Sequence, residues 1–378
     1  MSGVRLLEGR GAMAANGVKS EEAAANRDGL VERVFSAALA TYDIFSIYIG
    51  DRLGLYAALN EEPSTAKGLA HQSGTDERYI REWLEQQAVT GILRTENAEA
   101  EPNERIYELI PGHDEVLLAA DSSNYLAAFA RLTAGTLSIM PQLLDAFRSG
   151  SGVPYRDYGP DAREGQADTN RTQFINFLGT EWLPAVPDVH ERLQSDPPAR
   201  VADIACGTGW SSIALAHAYP KIQVDGFDSD GASIELATAN VEREGLGDRV
   251  RFRAKDASGE LEGSYDLVTV FEAIHDMARP VEALATMRQL LAPGGAAIVA
   301  DERTGDQFSA PGDDTERLFY AWSVFFCLPT GREDQPSAAT GTVMRPDKFR
   351  EYATNAGYSD VEILPIENDF WRFYRLLP

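Results

Sequence analysis

From Leu30 to Leu59 apolar residues fall at helical spacing: Val31, Val34, Phe35, Ala38, Leu39, Tyr42, Phe45 and Ile49. The pattern predicts a long amphipathic helix followed by a small helical module. In that module Thr65 is placed to cap a helix through Gln72, and Thr75 to cap another from Asp76 to about Thr90. "GILRTE" and "RIYELI" are short β-type runs around a polar loop, Asn97 to Glu104. Helices followed by a two-stranded ribbon describe a winged helix.

Leu117 to Phe147 is again apolar at helical spacing, "RSGSGVPYRDYGPDAREG" is loop-like, and "QADTNRTQFINFLGTEWLPAVPDVHERLQ" is helical. Pro197 and Pro198 mark a boundary. Beyond Arg200 the chain alternates. Strands are expected at Val201–Ala205, Gln223–Asp228, Val250–Ala254, Tyr265–Phe271 and Ala296–Asp301. Helices are expected between them at Trp210–Ala218, Gly231–Glu244 and Pro280–Leu291. Near-continuous apolar strands separated by helices predict a Rossmann-like α/β domain, a parallel sheet covered on both faces. "PDKFREYATNAG" reads as a further helix, "VEILPIE" and "FWRFYRLLP" as closing strands. The expected organisation is a disordered tail (1–28), a winged-helix-like domain (29–116), a helical linker (117–198) and the α/β domain (199–378), with a lid-like insertion at 304–344.

With 378 residues, 44% of them hydrophobic, the chain can build two cored domains. Its N-terminus has no apolar run of a secretory signal, and no stretch approaches the roughly 20 apolar residues of a membrane span. The formal charge is −25, and the lysines are Lys19, Lys67, Lys221, Lys255 and Lys348. Such a surface repels phosphate backbones. The candidate recognition helix carries Asp76, Glu77, Glu82 and Glu85 against Arg78 and Arg81, the wrong balance for DNA. Dimerisation and support of a pocket are better uses of the module. One explanation of the acidity is adaptation to high salt, tested by whether folding is lost at low salt. Cys206 and Cys327 lie far apart and form no disulfide framework or metal-type cluster, which points to a reduced, cytoplasmic setting.

"VADIACGTGW" puts a glycine turn directly after a buried strand. In open α/β sheets ligands bind at the carboxyl ends of strands, where Gly207 and Gly209 let a ligand approach backbone and helix N-terminus. Asp228, at the end of the second strand, is placed for ribose hydroxyls. This much suits a dinucleotide or another adenosine-bearing cofactor. Two features break the tie: Ser212 stands where a dinucleotide fingerprint has a third glycine or alanine, and Asp256, just past the third strand, can accept from an adenine amino group.

Together, "VADIACGTGWSSIALA", "VDGFDSD", "RFRAKDA", "YDLVTVFEAIHDM" and "LLAPGGAAIVADER" resemble the successive motifs of class I S-adenosylmethionine-dependent methyltransferases. The resemblance covers about Arg200 to Pro378. With the winged helix ahead of it, the layout resembles small-molecule O-methyltransferases, which implies a homodimer formed through the N-terminal part and a seven-stranded sheet whose last strand is antiparallel. It implies that Asp203, Gly207 and Gly209 line the methionine end of the cofactor and that Asp228 takes the ribose. It further implies that Asp256 and the Ala257 backbone meet adenine, and that Ser229, Phe227 and Phe271 flank the adenosine.

The implied reaction is methyl transfer to a small, hydrophobic or aromatic acceptor, foremost at oxygen, with nitrogen and carbon left open. Such transfer needs nucleophile and methyl held in line, and a hydroxyl nucleophile also needs a base. His275, in "EAIHDM", is the candidate base; the resemblance matches a catalytic "HDW" context in its first two residues and departs at Met277. Glu302 or Asp301, past the fifth strand, is placed to orient it. The alternative is that His275 caps a helix or packs beside the cofactor. His71, His113, His190 and His217 read as structural, and no histidine spacing points to a metal. The aromatic helix in "ERLFYAWSVFFCLPTG" offers Phe319, Trp322 and Phe326, with Tyr155, Tyr158 and Trp182, to enclose the acceptor, or else is a core or dimer helix. "FEAIHD" in place of an "NPPY"-like run, and no basic channel, count against nucleic-acid methylation. An NAD-binding oxidoreductase and a cofactor-sensing winged-helix regulator are the other readings.

Overall fold

The computed structural model describes the backbone from Arg5 to Pro378 and side chains from Glu21 onward. The chain divides into two compact units, Met1–Pro111 and Gly112–Pro378. The segment read as a linker, 117–198, therefore lies within the C-terminal unit.

The N-terminal unit runs α1 (Arg5–Arg52), α2 (Leu55–Glu61), α3 (Ala66–Ser73), α4 (Glu77–Val89), β1 (Leu93–Thr95) and β2 (Tyr107–Leu109), the two strands pairing antiparallel. This is the expected helix-and-ribbon plan. The expected disordered tail is corrected from Arg5 onward: residues 5–28 are the first half of α1, and residues 1–4 lie outside the described residues. That stretch contains no proline, so nothing breaks the helical ladder. Thr65 caps α3 as expected, but α4 is capped by Asp76, whose Oδ1 accepts from Arg78 N–H and Tyr79 N–H, and not by Thr75. α4 is fixed to α1 where Trp83 Nε1 donates to the Ser46 carbonyl at 2.9 Å. The apolar stripe further up α1 is not core: Leu30, Val31, Val34, Phe35, Leu39 and Tyr42 are 51–71% exposed.

The C-terminal unit opens with α5 (His113–Leu117), α6 (Ala127–Leu137), α7 (Met140–Ser149), a 3₁₀ turn at Tyr155–Tyr158, α8 (Gly159–Gln173), a π-helical run at Phe174–Trp182 and α9 (Pro187–Gln194). The α/β alternation follows: β3 (Arg200–Ile204), α10 (Trp210–Ala218), β4 (Gln223–Asp228), α11 (Gly231–Arg243), β5 (Val250–Ala254), β6 (Tyr265–Phe271), α12 (Pro280–Leu290) and β7 (Leu291–Glu302). Then come α13 (Asp314–Trp322), a π-helical run at Ser323–Cys327, α14 (Leu328–Gly331), α15 (Pro346–Asn355), β8 (Asp360–Ile363) and β9 (Trp371–Leu377). Seven strands form one sheet in the order β5-β4-β3-β6-β7-β9-β8. It is parallel except for β9, which runs antiparallel to both β7 and β8. Strand order reverses beside β3, so the carboxyl ends of β3 and β6 open a crevice.

One face of the sheet packs on the π-helical run, α9 and α10; the other packs on α12 and α15. α6 and α8 approach at backbone distance: a Cβ built on Gly135 would come within 2.2 Å of Ala162 N, and one on Gly165 within 2.4 Å of Leu132 N. This contact fixes the rotation of α8 and so decides which of its faces looks away from α6.

Candidate active site

After β3 the chain turns through Ala205, Gly207 and Gly209, with φ of 52°, 52° and 85°. A left-handed backbone at Ala205 is unfavourable for a residue with a Cβ, and marks a turn imposed by its surroundings. A Cβ on Gly207 would meet nothing within 4 Å, so the turn fronts open space; one on Gly209 would come within 2.5 Å of Phe252 Cζ. α10 begins immediately after, with its free N–H groups at this edge.

Asp203 lies beneath the turn, fully buried. Ser211 Oγ and Ser212 Oγ each donate to its Oδ2 at 2.6 Å, and Thr269 Oγ1 donates to Oδ1 at 3.0 Å. Burial raises its pKa against those three hydroxyls. The expectation that Asp203 lines the cofactor space is corrected: it ties α10 and β6 to β3 from below.

Asp228 ends β4 and accepts the N–H of Gly207 and of Asp230, both at 2.8 Å. Burial pushes its carboxyl up to about 6, against those two donors. Asp230 in turn accepts from Arg163 Nε at 2.7 Å, which brings α8 to the same edge. Asp256 follows β5, exposed; its Oδ1 accepts from Ser258 N–H and Oγ, and its Oδ2 pairs with Arg279 Nη2 at 2.9 Å.

These groups enclose a cavity of about 470 Å³. Of the expected cofactor residues, Gly207, Asp228, Ser229, Asp256 and Phe271 line it. Gly209 and Ala257 do not. Gly209 is packed under Phe252, and Ala257 packs against the core while Ser258 faces the space. The opposite wall was not foreseen. α8 supplies Arg163, Gln166, Ala167 and Asn170, and Phe174 follows. Their i, i+3, i+4, i+7, i+11 spacing in "REGQADTNRTQF" is one helix face, opposite the Ala162 and Gly165 that meet α6. A polar stripe on a helix preceding a glycine turn was the available signal.

Tyr155 lines the cavity as expected, but the other acceptor aromatics do not. Trp182 packs among Phe174, Trp371 and Phe373. Tyr158 and Phe326 belong to the core joining α6 and α7 to the insertion, Trp322 packs against that core, and Phe319 is fully buried. An aromatic helix with large side chains all round satisfies them by burial first. The far end of the insertion does reach the cavity: Glu333 accepts from Tyr155 N–H at 3.2 Å and from Arg156 Nη1 at 3.0 Å.

His275 is 1% exposed and is not a cavity wall. Its Nδ1 is 2.9 Å from both Asp301 Oδ1 and Glu302 Oε2, and Cys327 hydrogen-bonds the ring. Burial opposes its charge, yet the two carboxylates hold its pKa well above the usual value. Burial, with Asp301 beside it, raises Glu302 well above the carboxylate range, against the pull of His275. The structure thus places both Asp301 and Glu302, where one or the other was expected, at His275, but behind the cavity wall.

The acids that face the cavity here are Glu272 and Asp276. Burial pushes Glu272 up to about 7 and Asp276 up to about 6, with His275 opposing both. Glu272 has φ of 52°, the second non-glycine left-handed residue on this edge. Asn170 Nδ2 donates to its Oε2.

A parallel sheet reversing at β3, a left-handed glycine turn and acids at the ends of β4 and β5 define a nucleoside-binding domain of the methyltransferase class. Residues 195–341 match the methyltransferase domain family, and residues 38–118 the Rv2258c-like winged HTH domain. The trans-aconitate 2-methyltransferase of Deinococcus radiodurans is 29% identical over 197 residues, 52% of this chain and 71% of that protein. An uncharacterized protein of Synechococcus sp. is 31% identical over 98 residues, 25% of this chain; the chain spans 24% of that relative's length. Among solved structures, the mitomycin 7-O-methyltransferase MmcR aligns with a TM-score of 0.68 at 18% identity, over 93% of this chain and 99% of that one. The O-methyltransferase NcsB1, solved with S-adenosylhomocysteine and 1,4-dihydroxy-2-naphthoic acid, aligns with a TM-score of 0.60 at 14% identity, over 89% and 95%. The chain thus carries a methyltransferase domain behind a winged HTH domain, and neither the oxidoreductase nor the regulator reading is favoured. Among the described residues no helix is long and apolar enough to cross a membrane.

Proposed function

We propose that the protein methylates a small, apolar or aromatic acceptor at oxygen, using S-adenosylmethionine, and works as a cytoplasmic homodimer. The observation that carries the cofactor assignment is the order of groups along one edge: Asp256 after β5, Asp228 after β4, the Gly207 turn after β3. That order suits adenine, ribose and methionine in succession, and the open space before Gly207 admits a ligand where a Cβ would stand. Bound there, the cofactor supplies a methyl group already activated by its sulfonium charge. Asp228 takes the ribose hydroxyls and holds the turn through Gly207 N–H. Ser229 and Phe271 flank the adenosine, and Asp256, steadied by Arg279, faces its base. Asp203 and the His275–Asp301–Glu302 cluster hold strand ends in place.

Beyond the turn the cavity is lined by Tyr155, Phe174, Phe271 and Met277, which favours an apolar, aromatic acceptor. MmcR and NcsB1 are both named as O-methyltransferases, and NcsB1 was solved with a dihydroxynaphthoic acid, which supports the same class here. The exposed stripe on α1, Leu30 to Tyr42, supports pairing of two copies. The acidic composition weighs against nucleic acid, and two buried free cysteines fit a reducing compartment. Calorimetry decides the cofactor: S-adenosylhomocysteine binds and NAD does not. Binding of NAD alone would overturn the assignment. Methyl-¹³C-labelled cofactor incubated with phenol, amine and carbon-acid probes then distinguishes oxygen from nitrogen and carbon.

A further inference from the structure

The sulfonium carries a positive charge, and a hydroxyl acceptor must lose a proton; a single cavity carboxylate can answer both. We infer that Glu272, rather than His275, is the acid–base group of the cavity: it is ionised by arrival of the cofactor's sulfonium and then accepts the proton of the acceptor hydroxyl. This deepens the O-methyltransferase reading and rests on it.

Three observations carry it. First, position. β3 and β6 are parallel neighbours with Ile204 beside Val270, so the register carried two residues on sets Cys206, in the glycine turn, level with Glu272 at one edge. The adenine and ribose acids follow β5 and β4, on the other side of β3. Glu272 therefore lies at the end of the cavity left for the reacting part of the cofactor, about two strand spacings, roughly 10 Å, from Asp228. Second, access. Glu272 lines the cavity, whereas His275 is buried behind it. Third, placement by strain. Glu272 is held left-handed, its N–H donates to the Ala300 carbonyl at 2.8 Å, and Asn170 of α8 donates to its carboxyl. A residue with a side chain persists in that conformation only when its surroundings hold it there, and such strain gathers at functional sites.

The groups that bear on its charge are His275 and Asp276 from a second 3₁₀ turn, Ile274–Asp276, Asp301 and Glu302 from β7, and Asn170 from α8. Without a ligand, burial keeps the carboxyl near pKa 7, half protonated at neutral pH. A cation beside it lowers that value and expels the proton. In the transfer itself the acceptor's oxygen forms a bond to the methyl carbon. The carbon–sulfur bond breaks with its electron pair kept by sulfur, and the hydroxyl proton passes to the Glu272 carboxylate. His275 is a positioning residue whose fixed positive charge keeps Glu272 from rising further.

Isothermal titration calorimetry in buffers of different ionisation enthalpy counts the proton at pH 7, before any acceptor is present. S-Adenosylmethionine should release up to about half a proton more than S-adenosylhomocysteine, since the two share every group except the methyl on sulfur and the charge it brings. Glu272→Gln should abolish the difference with S-adenosylhomocysteine affinity within about threefold of wild type. Asp276→Asn should keep the difference. Asn170→Ala, which removes a bond favouring the charge, should enlarge it, and decides the matter if Glu272→Gln does not fold. Equal proton release for the two ligands in wild type overturns the inference. So does a difference that survives Glu272→Gln, and so does a large loss of S-adenosylhomocysteine affinity in that variant, which would make Glu272 a ligand of the amino group. Failure of both ligands to bind would instead overturn the cofactor assignment itself.

Discussion

Gly207 and Gly209 stand two residues apart in one turn, yet alanine at each should fail differently. Both backbones are left-handed, and for a residue with a Cβ that conformation costs roughly 1–2 kcal/mol. At Gly207 nothing lies within 4 Å of an added Cβ, so strain is the whole effect on folding, about 1 kcal/mol after the reduced entropy of the unfolded chain is set against it. At Gly209 the methyl would meet Phe252 Cζ at 2.5 Å and Ala237 Cβ at 3.1 Å. The same ring edge also lies over Gly226, where an added Cβ would come within 2.5 Å of Cδ1, so Phe252 is close-packed on two glycines. Overpacking of this kind adds about 1–3 kcal/mol, for a total of roughly 2–4. Ligand binding should run the other way. The methyl of Gly207→Ala projects into the cavity and should weaken S-adenosylhomocysteine at least about tenfold, near 1.4 kcal/mol. The folded fraction of Gly209→Ala should bind within about threefold of wild type. Urea unfolding gives the first quantity and calorimetry the second. If Gly207→Ala binds as wild type does, the turn does not face the cofactor. If Gly209→Ala is no less stable than Gly207→Ala, the close contact with Phe252 is not what that glycine is for.

Asp228 leads to a pH profile: its folded pKa near 6 means that the charged form is lost as pH falls through 6 rather than through 4. Affinity for S-adenosylhomocysteine should be level above pH 7 and fall by roughly tenfold per unit below 6, and a profile flat to pH 5 would remove the ribose role. His275→Gln leaves Asp301 buried beside Glu302 without its cation, which should destabilise the protein by about 3 kcal/mol at pH 7. The variant's Asp301 then has a folded pKa above its unfolded one, so the deficit should shrink as pH falls toward the unfolded value of about 4 and vanish below it, where both states are protonated; a deficit independent of pH in thermal unfolding would contradict this. Val34→Glu with Phe35→Glu places two charges on the exposed stripe of α1, and light scattering should report a monomer with unchanged circular dichroism; a persistent dimer would place the interface elsewhere.

The strand-and-helix alternation was legible because its signals are local. β4, β5 and β6 begin and end where the apolar runs begin and end, and α10 starts at the residue after the glycine turn. The acids ending β4 and β5 and the open face of Gly207 were legible for the same reason: a parallel sheet puts strand ends on one edge, so sequence position becomes spatial position. Chemistry that depends on which face of an element looks inward was not. The apolar stripe of α1 reads as one face of a helix and is exposed, because periodicity reports an amphipathic face without naming what covers it. The aromatic side chains of the insertion read as pocket and are mostly core. His275 lies beside both Asp301 and Glu302, where one or the other was expected, but behind the wall, while Glu272, three residues earlier on a left-handed backbone, faces the cavity. Residue types and their order come from the chain itself; rotation of α8 on α6 and the backbone sign at residue 272 follow only from contacts between segments distant in sequence, which no local pattern encodes.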